Sequence, residues 1–131
     1  MKLLLDTHIW IWSLFRRERI TGTVLRQLEN PKNELYLSPI SIWEAHLLDR
    51  RGRLHLKGTF SEWLPQALVQ GPFREAPFNF AVAAEAARIQ LPQNDMGDLF
   101  LAATASVFDL TVVTSGSQFI DCKWLKTLAN E

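Results

Sequence analysis

Short apolar runs alternate along the chain with longer stretches in which apolar positions recur at helical spacing. Leu3-Leu4-Leu5 is a continuous apolar run ending in Asp6, the pattern of a strand buried on both faces. Glu34-Leu35-Tyr36-Leu37 repeats it, and Leu110-Thr111-Val112-Val113 adds the β-branched content that favours strands. Two further short strands are expected at Phe73 to Ala76 and near Trp124 to Lys126.

The intervening segments predict helices. One covers Ile9 to Phe15, with Thr7 as its cap, and another Thr23 to Glu29, stopped by Asn30-Pro31. Ser38 as N-cap and Pro39 as first residue open a helix that runs to about Asp49 and ends at Gly52. Helices are also expected over Thr59 to Val69, closed by Gly71-Pro72, and over Asn79 to Arg88. Leu91 to Gly97 reads as a loop, after which Asp98 or its neighbours open a helix through Val107. Strands alternating with helices from end to end imply an α/β sandwich with a mostly parallel sheet. Ligands in such sheets bind just beyond the carboxyl ends of the strands.

The 131 residues form one domain-sized unit, 1–131, without repeats, linkers or low-complexity segments. The single cysteine, Cys122, has no internal partner, which fits a reducing cytoplasm. The charged Asp6 interrupts the apolar start too early for a signal peptide, and no run is long enough to span a membrane. The 14 basic and 14 acidic residues cancel, so overall charge argues mildly against a nucleic-acid partner.

Local clusters change that picture. Asp6 ends the first strand, Glu44 lies in the helix after the second, and Asp98 starts the helix before the strand at Leu110, with Asp95 one turn earlier. In a parallel sheet these acids can converge on one cleft. Two like charges about 4 Å apart repel by about 4 kcal/mol at an effective dielectric of about 20. A proton or a cation must relieve that repulsion. An all-oxygen donor set selects a hard cation, Mg²⁺ with Mn²⁺ as a substitute. Three histidines and one cysteine without ligand spacing argue against zinc. The structural reading stands beside this one: Asp6 as a helix cap, Glu44 as a solvated helix residue, Asp98 as a carboxylate at a positive helix end.

Three segments carry a family resemblance. Leu4-Leu5-Asp6-Thr7-His8, Ser38-Pro39-Ile40-Ser41-Ile42-Trp43-Glu44 and Asp95-Met96-Gly97-Asp98-Leu99-Phe100-Leu101-Ala102-Ala103-Thr104-Ala105 resemble, in order and spacing, the motifs of PIN-domain ribonucleases of the VapC type, the toxins of bacterial toxin–antitoxin pairs. The resemblance implies a three-layer α/β/α fold, a bound divalent cation, cleavage of single-stranded RNA, a homodimer and a cognate antitoxin. It assigns catalytic and metal-binding roles to Asp6, Glu44 and Asp98, with Asp95 as a further candidate ligand. Thr7, Thr114 and Ser115 would be supporting polar residues.

The chain departs from the family pattern twice. Gly116 stands in Thr114-Ser115-Gly116 where the family carries a further acid, and Asp121 is out of register. Leu99 stands where the family often has arginine. The missing acid leaves an alternative: a PIN-like module that binds RNA or an antitoxin without efficient cleavage. A phosphotransfer domain ranks lower, because Lys123 and Lys126 come too late in the chain to serve the strand ends.

Two basic clusters are candidates for RNA phosphates, Arg16, Arg17 and Arg19 in one and Arg50, Arg51, Arg53 and Lys57 in the other. The apolar helix Ile9 to Phe15 is either deeply buried or covered by another chain at Trp10 or Trp12. His8 reads as a packed or capping residue, and His46 and His55 carry no signal.

Overall fold

The computed structural model describes residues 1–92 and 95–131. Its five strands are β1 (Lys2–Leu5), β2 (Glu34–Leu37), β3 (Phe73–Glu75), β4 (Thr111–Thr114) and β5 (Thr127–Ala129). They form one sheet in the order β3-β2-β1-β4-β5, with every neighbouring pair parallel. Around it lie α1 (Thr7–Phe15), α2 (Gly22–Glu29), α3 (Pro39–Arg50), α4 (Phe60–Val69), α5 (Phe80–Arg88), α6 (Met96–Phe108) and the short α7 (Ser117–Ile120).

β1 sits at the centre, which explains its unbroken apolar run. Leu3 and Leu5 pack into one layer with Ile9, Trp10, Val24 and Ala45. Leu4, pointing to the opposite face, packs with Leu101, Ala102, Ala105 and Phe119. The alternation along a single strand thus separates α1 to α4 from α6 and α7, giving three layers.

Several boundaries differ from the sequence reading. Thr7 does not cap α1. Asp6 does, in extended conformation, accepting from Ile9 N, and Thr7 is the first helical residue. α6 begins at Met96 with Asp95 as its N-cap, so Asp98 lies inside the first turn and the expected loop at 91–97 ends earlier. Positions 93 and 94 of that loop lie outside the described residues. The last strand is Thr127–Ala129 rather than Trp124 to Lys126, and α7 has no periodic signature in four residues. α4 carries a capping box between Thr59 and Glu62.

The apolar helix α1 is mostly interior: Trp10 is fully buried, Trp12 half-buried, and Phe15 exposed. Trp10 is therefore unavailable to another chain.

Candidate active site

The carboxyl ends of β1 and β4 lie side by side because Leu5 pairs with Val113. The chain leaves β1 at Asp6, whose N–H still donates to the Val113 carbonyl. Asp6 is buried, and both its oxygens are engaged: Oδ1 accepts from Ile9 N at 2.9 Å and Oδ2 from Thr114 Oγ1 at 2.5 Å. The Gly116 N–H in turn donates to Thr114 Oγ1 at 2.9 Å, so the turn after β4 orients the hydroxyl that holds Asp6. Burial pushes the Asp6 carboxyl up from its ordinary range, against the opposing pull of these hydrogen bonds.

Glu44 approaches from α3. Thr7 Oγ1 donates to Glu44 Oε1 at 2.5 Å and lies 3.0 Å from Ser41 Oγ, which is buried one turn earlier on the same helix. A Cβ at Gly97 would collide with the Glu44 carboxylate and stand 3.2 Å from Asp95 Oδ1. Glycine at this place in α6 is what allows Glu44 so close to the helix. Burial raises the Glu44 carboxyl, the Thr7 hydrogen bond opposes, and Asp95 and Asp6 add repulsion.

Asp98 comes from the first turn of α6. Asp95 caps that helix by accepting from Asp98 N at 2.9 Å. The Asp98 carboxyl is pushed up to about 6, first by burial, then by Asp95, with Glu44 and Asp6 contributing further repulsion. A Gln118 amide hydrogen bond to Asp98 Oδ2, 2.9 Å long, works in the opposite direction.

Asp6, Glu44, Asp95 and Asp98 all line one cavity of about 380 Å³, together with Thr7, His8, Trp12, Leu101, Ser115, Gly116 and Gln118. No lysine or arginine is among these residues. Elsewhere the pattern is opposite. The larger groove of about 550 Å³ at the amino ends of β2 and β3 also contains acids, but Glu29 is paired with Arg17 and Glu34 with Arg74. Among these two cavities, carboxylates without a lysine or arginine beside them are found at the carboxyl edge of the sheet.

Among the described residues, no three His, Cys, Asp or Glu side chains form a preassembled metal cage. The donor set nonetheless fits a hard cation: the acids are oxygen-only, face a shared cavity and repel one another. Side-chain adjustment around the ion would have to complete the coordination.

Other sequence candidates fall in different places. Thr7 and Thr114 hold acids, whereas Ser115 donates to the Asn130 carbonyl and thereby ties β4 to the chain end. None of Arg16, Arg17, Arg50, Arg51 and Arg53 lines the acidic cavity. Arg16 pairs with Glu18 and Arg17 with Glu29. Arg50, Arg51 and Arg53 are exposed, and no ion pair among the described residues engages them. Arg19 lies over the Trp12 ring, 4.5 Å from its centre, and His8 meets the same ring edge-on. Leu99 packs against α5 with Val82, Ala86 and Ala103. Asp121 is exposed and does not line the cavity. Two residues escaped the sequence reading: Gln118, which has no motif around it, and Asn130, whose amide receives from Thr21 N and donates to the Arg19 carbonyl and Ser115 Oγ.

The structure is thus a parallel five-stranded sandwich with an acidic, lysine- and arginine-free cavity at its carboxyl edge. The chain belongs to the PIN domain family, whose pattern matches residues 3–125. Solved structures share the fold. VapBC2 from Rickettsia felis, bound to a DNA fragment from its promoter, matches at 16% identity and a TM-score of 0.74 over 100% of both chains. FitAcB from Neisseria gonorrhoeae matches at 28% identity and 0.68, covering 98% of this chain and 97% of that one. VapBC-5 from Mycobacterium tuberculosis, a member of a toxin–antitoxin family, matches at 17% and 0.59, over 98% and 96%. No curated protein matched the chain.

Proposed function

We propose that this chain is a metal-dependent endoribonuclease that cleaves single-stranded RNA in the cytoplasm and serves as the toxin of a toxin–antitoxin pair. The observation that carries this reading is the convergence of Asp6, Glu44, Asp95 and Asp98 on one cavity that no lysine or arginine lines. Membership of the PIN family and the likeness to chains of the VapBC2 and FitAcB structures support it. Asp6 and Asp98 would be the principal ligands of Mg²⁺ or Mn²⁺, with Glu44 and Asp95 completing the oxygen set. When bound, such an ion would supply charge neutralisation at a phosphodiester and Lewis-acid activation of water. Asp6 is held by two hydrogen bonds before any ligand arrives, and Thr7 fixes Glu44 in the same way.

The rim supports an RNA substrate. Arg19 lies over the Trp12 ring, His8 meets that ring edge-on, and His8 and Trp12 line the cavity. Such a surface accepts the face of an unpaired base. The exposed Arg50, Arg51 and Arg53 would contact phosphates farther along the strand. Phe80 on α5 and Trp43 on α3 leave large apolar surface in solvent, which suits a second protomer and an antitoxin.

The test is cleavage of defined single-stranded RNAs with Mg²⁺, with EDTA, and by Asp6→Asn. Asparagine retains the cap but not the charge. Cleavage should need the ion and disappear in the variant while the circular dichroism stays native. Full turnover by Asp6→Asn would refute the mechanism.

Gly116 favours a second reading. With no acid at this position, the chain would bind RNA or an antitoxin without efficient cleavage. Wild-type cleavage at low enzyme concentration would exclude it, whereas activity appearing only in Gly116→Asp would support it.

A further inference from the structure

Gly116 has no conformational need to be glycine. Its φ of −82° and ψ of 125° are ordinary extended backbone, open to any residue. What it lacks is room. A Cβ there would stand 2.6 Å from Gln118 Oε1, 2.7 Å from Nε2 and 2.8 Å from the amide carbon. The Gln118 amide therefore lies flat against the Gly116 backbone, in the space that any side chain at 116 would take. From that position Nε2 donates to Asp98 Oδ2 at 2.9 Å, and Gln118 lines the acidic cavity.

We propose that Gln118 is a positioning residue for Asp98, and that Gly116 is glycine because the Gln118 amide must lie against it to reach that carboxylate. The role rests on the metal-nuclease reading of the site. The amide engages Oδ2 of Asp98 and restrains the carboxylate, leaving Oδ1 for a cation. It does so without adding a charge to four acids that already repel. Partners one step removed from the ligands commonly change metal affinity by roughly 10- to 100-fold when lost.

The arrangement makes Gly116 and Gln118 one unit. Gln118→Leu removes the donor at similar volume. Gly116→Ala leaves the backbone unstrained but pushes the far end of the flexible Gln118 side chain away. Each change should weaken Mn²⁺ binding by roughly tenfold or more. The double variant should be no weaker than either single one, since both remove the same contact.

The experiment combines Mn²⁺ affinity, measured by electron paramagnetic resonance, with NMR of the Gln118 side-chain amide in metal-free protein. A downfield, exchange-protected Gln118 signal is expected in the wild type and should be lost in Gly116→Ala. Independent, additive losses of affinity, or wild-type affinity in both single variants, would overturn the proposal while leaving the nuclease reading intact. A wild-type chain that shows the protected amide yet binds no Mn²⁺ would instead sink the nuclease reading, and this role with it. Native circular dichroism in either single variant keeps the comparison valid if the other fails to fold.

Discussion

Thr7 Oγ1 donates to Glu44 Oε1 across 37 positions of sequence, joining the first residue of α1 to the middle of α3. Thr7 is buried and directly follows Asp6, so the same turn that presents one acid also fixes another. The two helices that carry the first two motifs are coupled at the site itself.

Thr7→Val keeps the shape but strips Glu44 of its donor. Hydrogen bonds to charged groups contribute about 1.5–3 kcal/mol. The loss in urea denaturation should fall toward the lower end, because Glu44 is only half-buried and can turn to water. Thr7→Ser should remain near wild type in stability and cation affinity. Equal behaviour of the two variants would show that the hydroxyl does not hold Glu44.

Gly97→Ala should separate fold from function. Alanine is favoured over glycine in helices by up to about 1 kcal/mol, less at a first turn. The added Cβ collides with the Glu44 carboxylate. Stability should change little, while Mn²⁺ affinity falls by roughly tenfold, equivalent to about 1.4 kcal/mol. Isothermal titration calorimetry on the variant checks this.

The acidic centre should give an inverted pH dependence. Asp98 titrates at about 6 in the fold against an ordinary 3.8. Between those values the folded chain holds more protons than the unfolded one, so this group's contribution favours folding at low pH and is lost as pH rises through about 6. Asp6 and Glu44, also raised, act in the same direction. In EDTA, denaturation midpoints should fall as pH rises from about 3.8 to about 6, and Asp98→Asn should flatten that slope. Added Mg²⁺ should restore stability at pH 7 if, as proposed, the ionised acids of the folded state hold it.

Asn130→Ala tests the clamp behind the site. Its buried amide joins Thr21, Arg19 and Ser115, linking the start of α2 and the end of β4 to the chain terminus. Leaving those partners unpaired should cost about 1–3 kcal/mol, read from chemical denaturation. Mn²⁺ affinity should change less than in Gly97→Ala, since Asn130 touches none of the four acids.

Local pattern was enough to place most elements and the three acidic motifs. The apolar run at β1, the Ser38-Pro39 start of α3 and the β-branched β4 are set by neighbours in sequence, and the structure keeps them within a residue or two. Aligning three carboxylates with strand ends required only a parallel sheet. Short or irregular elements were not legible: α7 is four residues long, and β5 is fixed by pairing with β4 rather than by a hydrophobic period.

Tertiary packing alone decided which polar atoms meet. Thr114 reaches Asp6 across 108 positions and Gln118 reaches Asp98 across 20, neither at a helical or strand spacing. It also put Trp10 inside and left Arg16 and Arg17 paired with acids away from the cavity. Periodicity encodes which face of an element is apolar. The direction of a hydroxyl or an amide depends on the elements packed against it, and those are assembled only when the sheet closes.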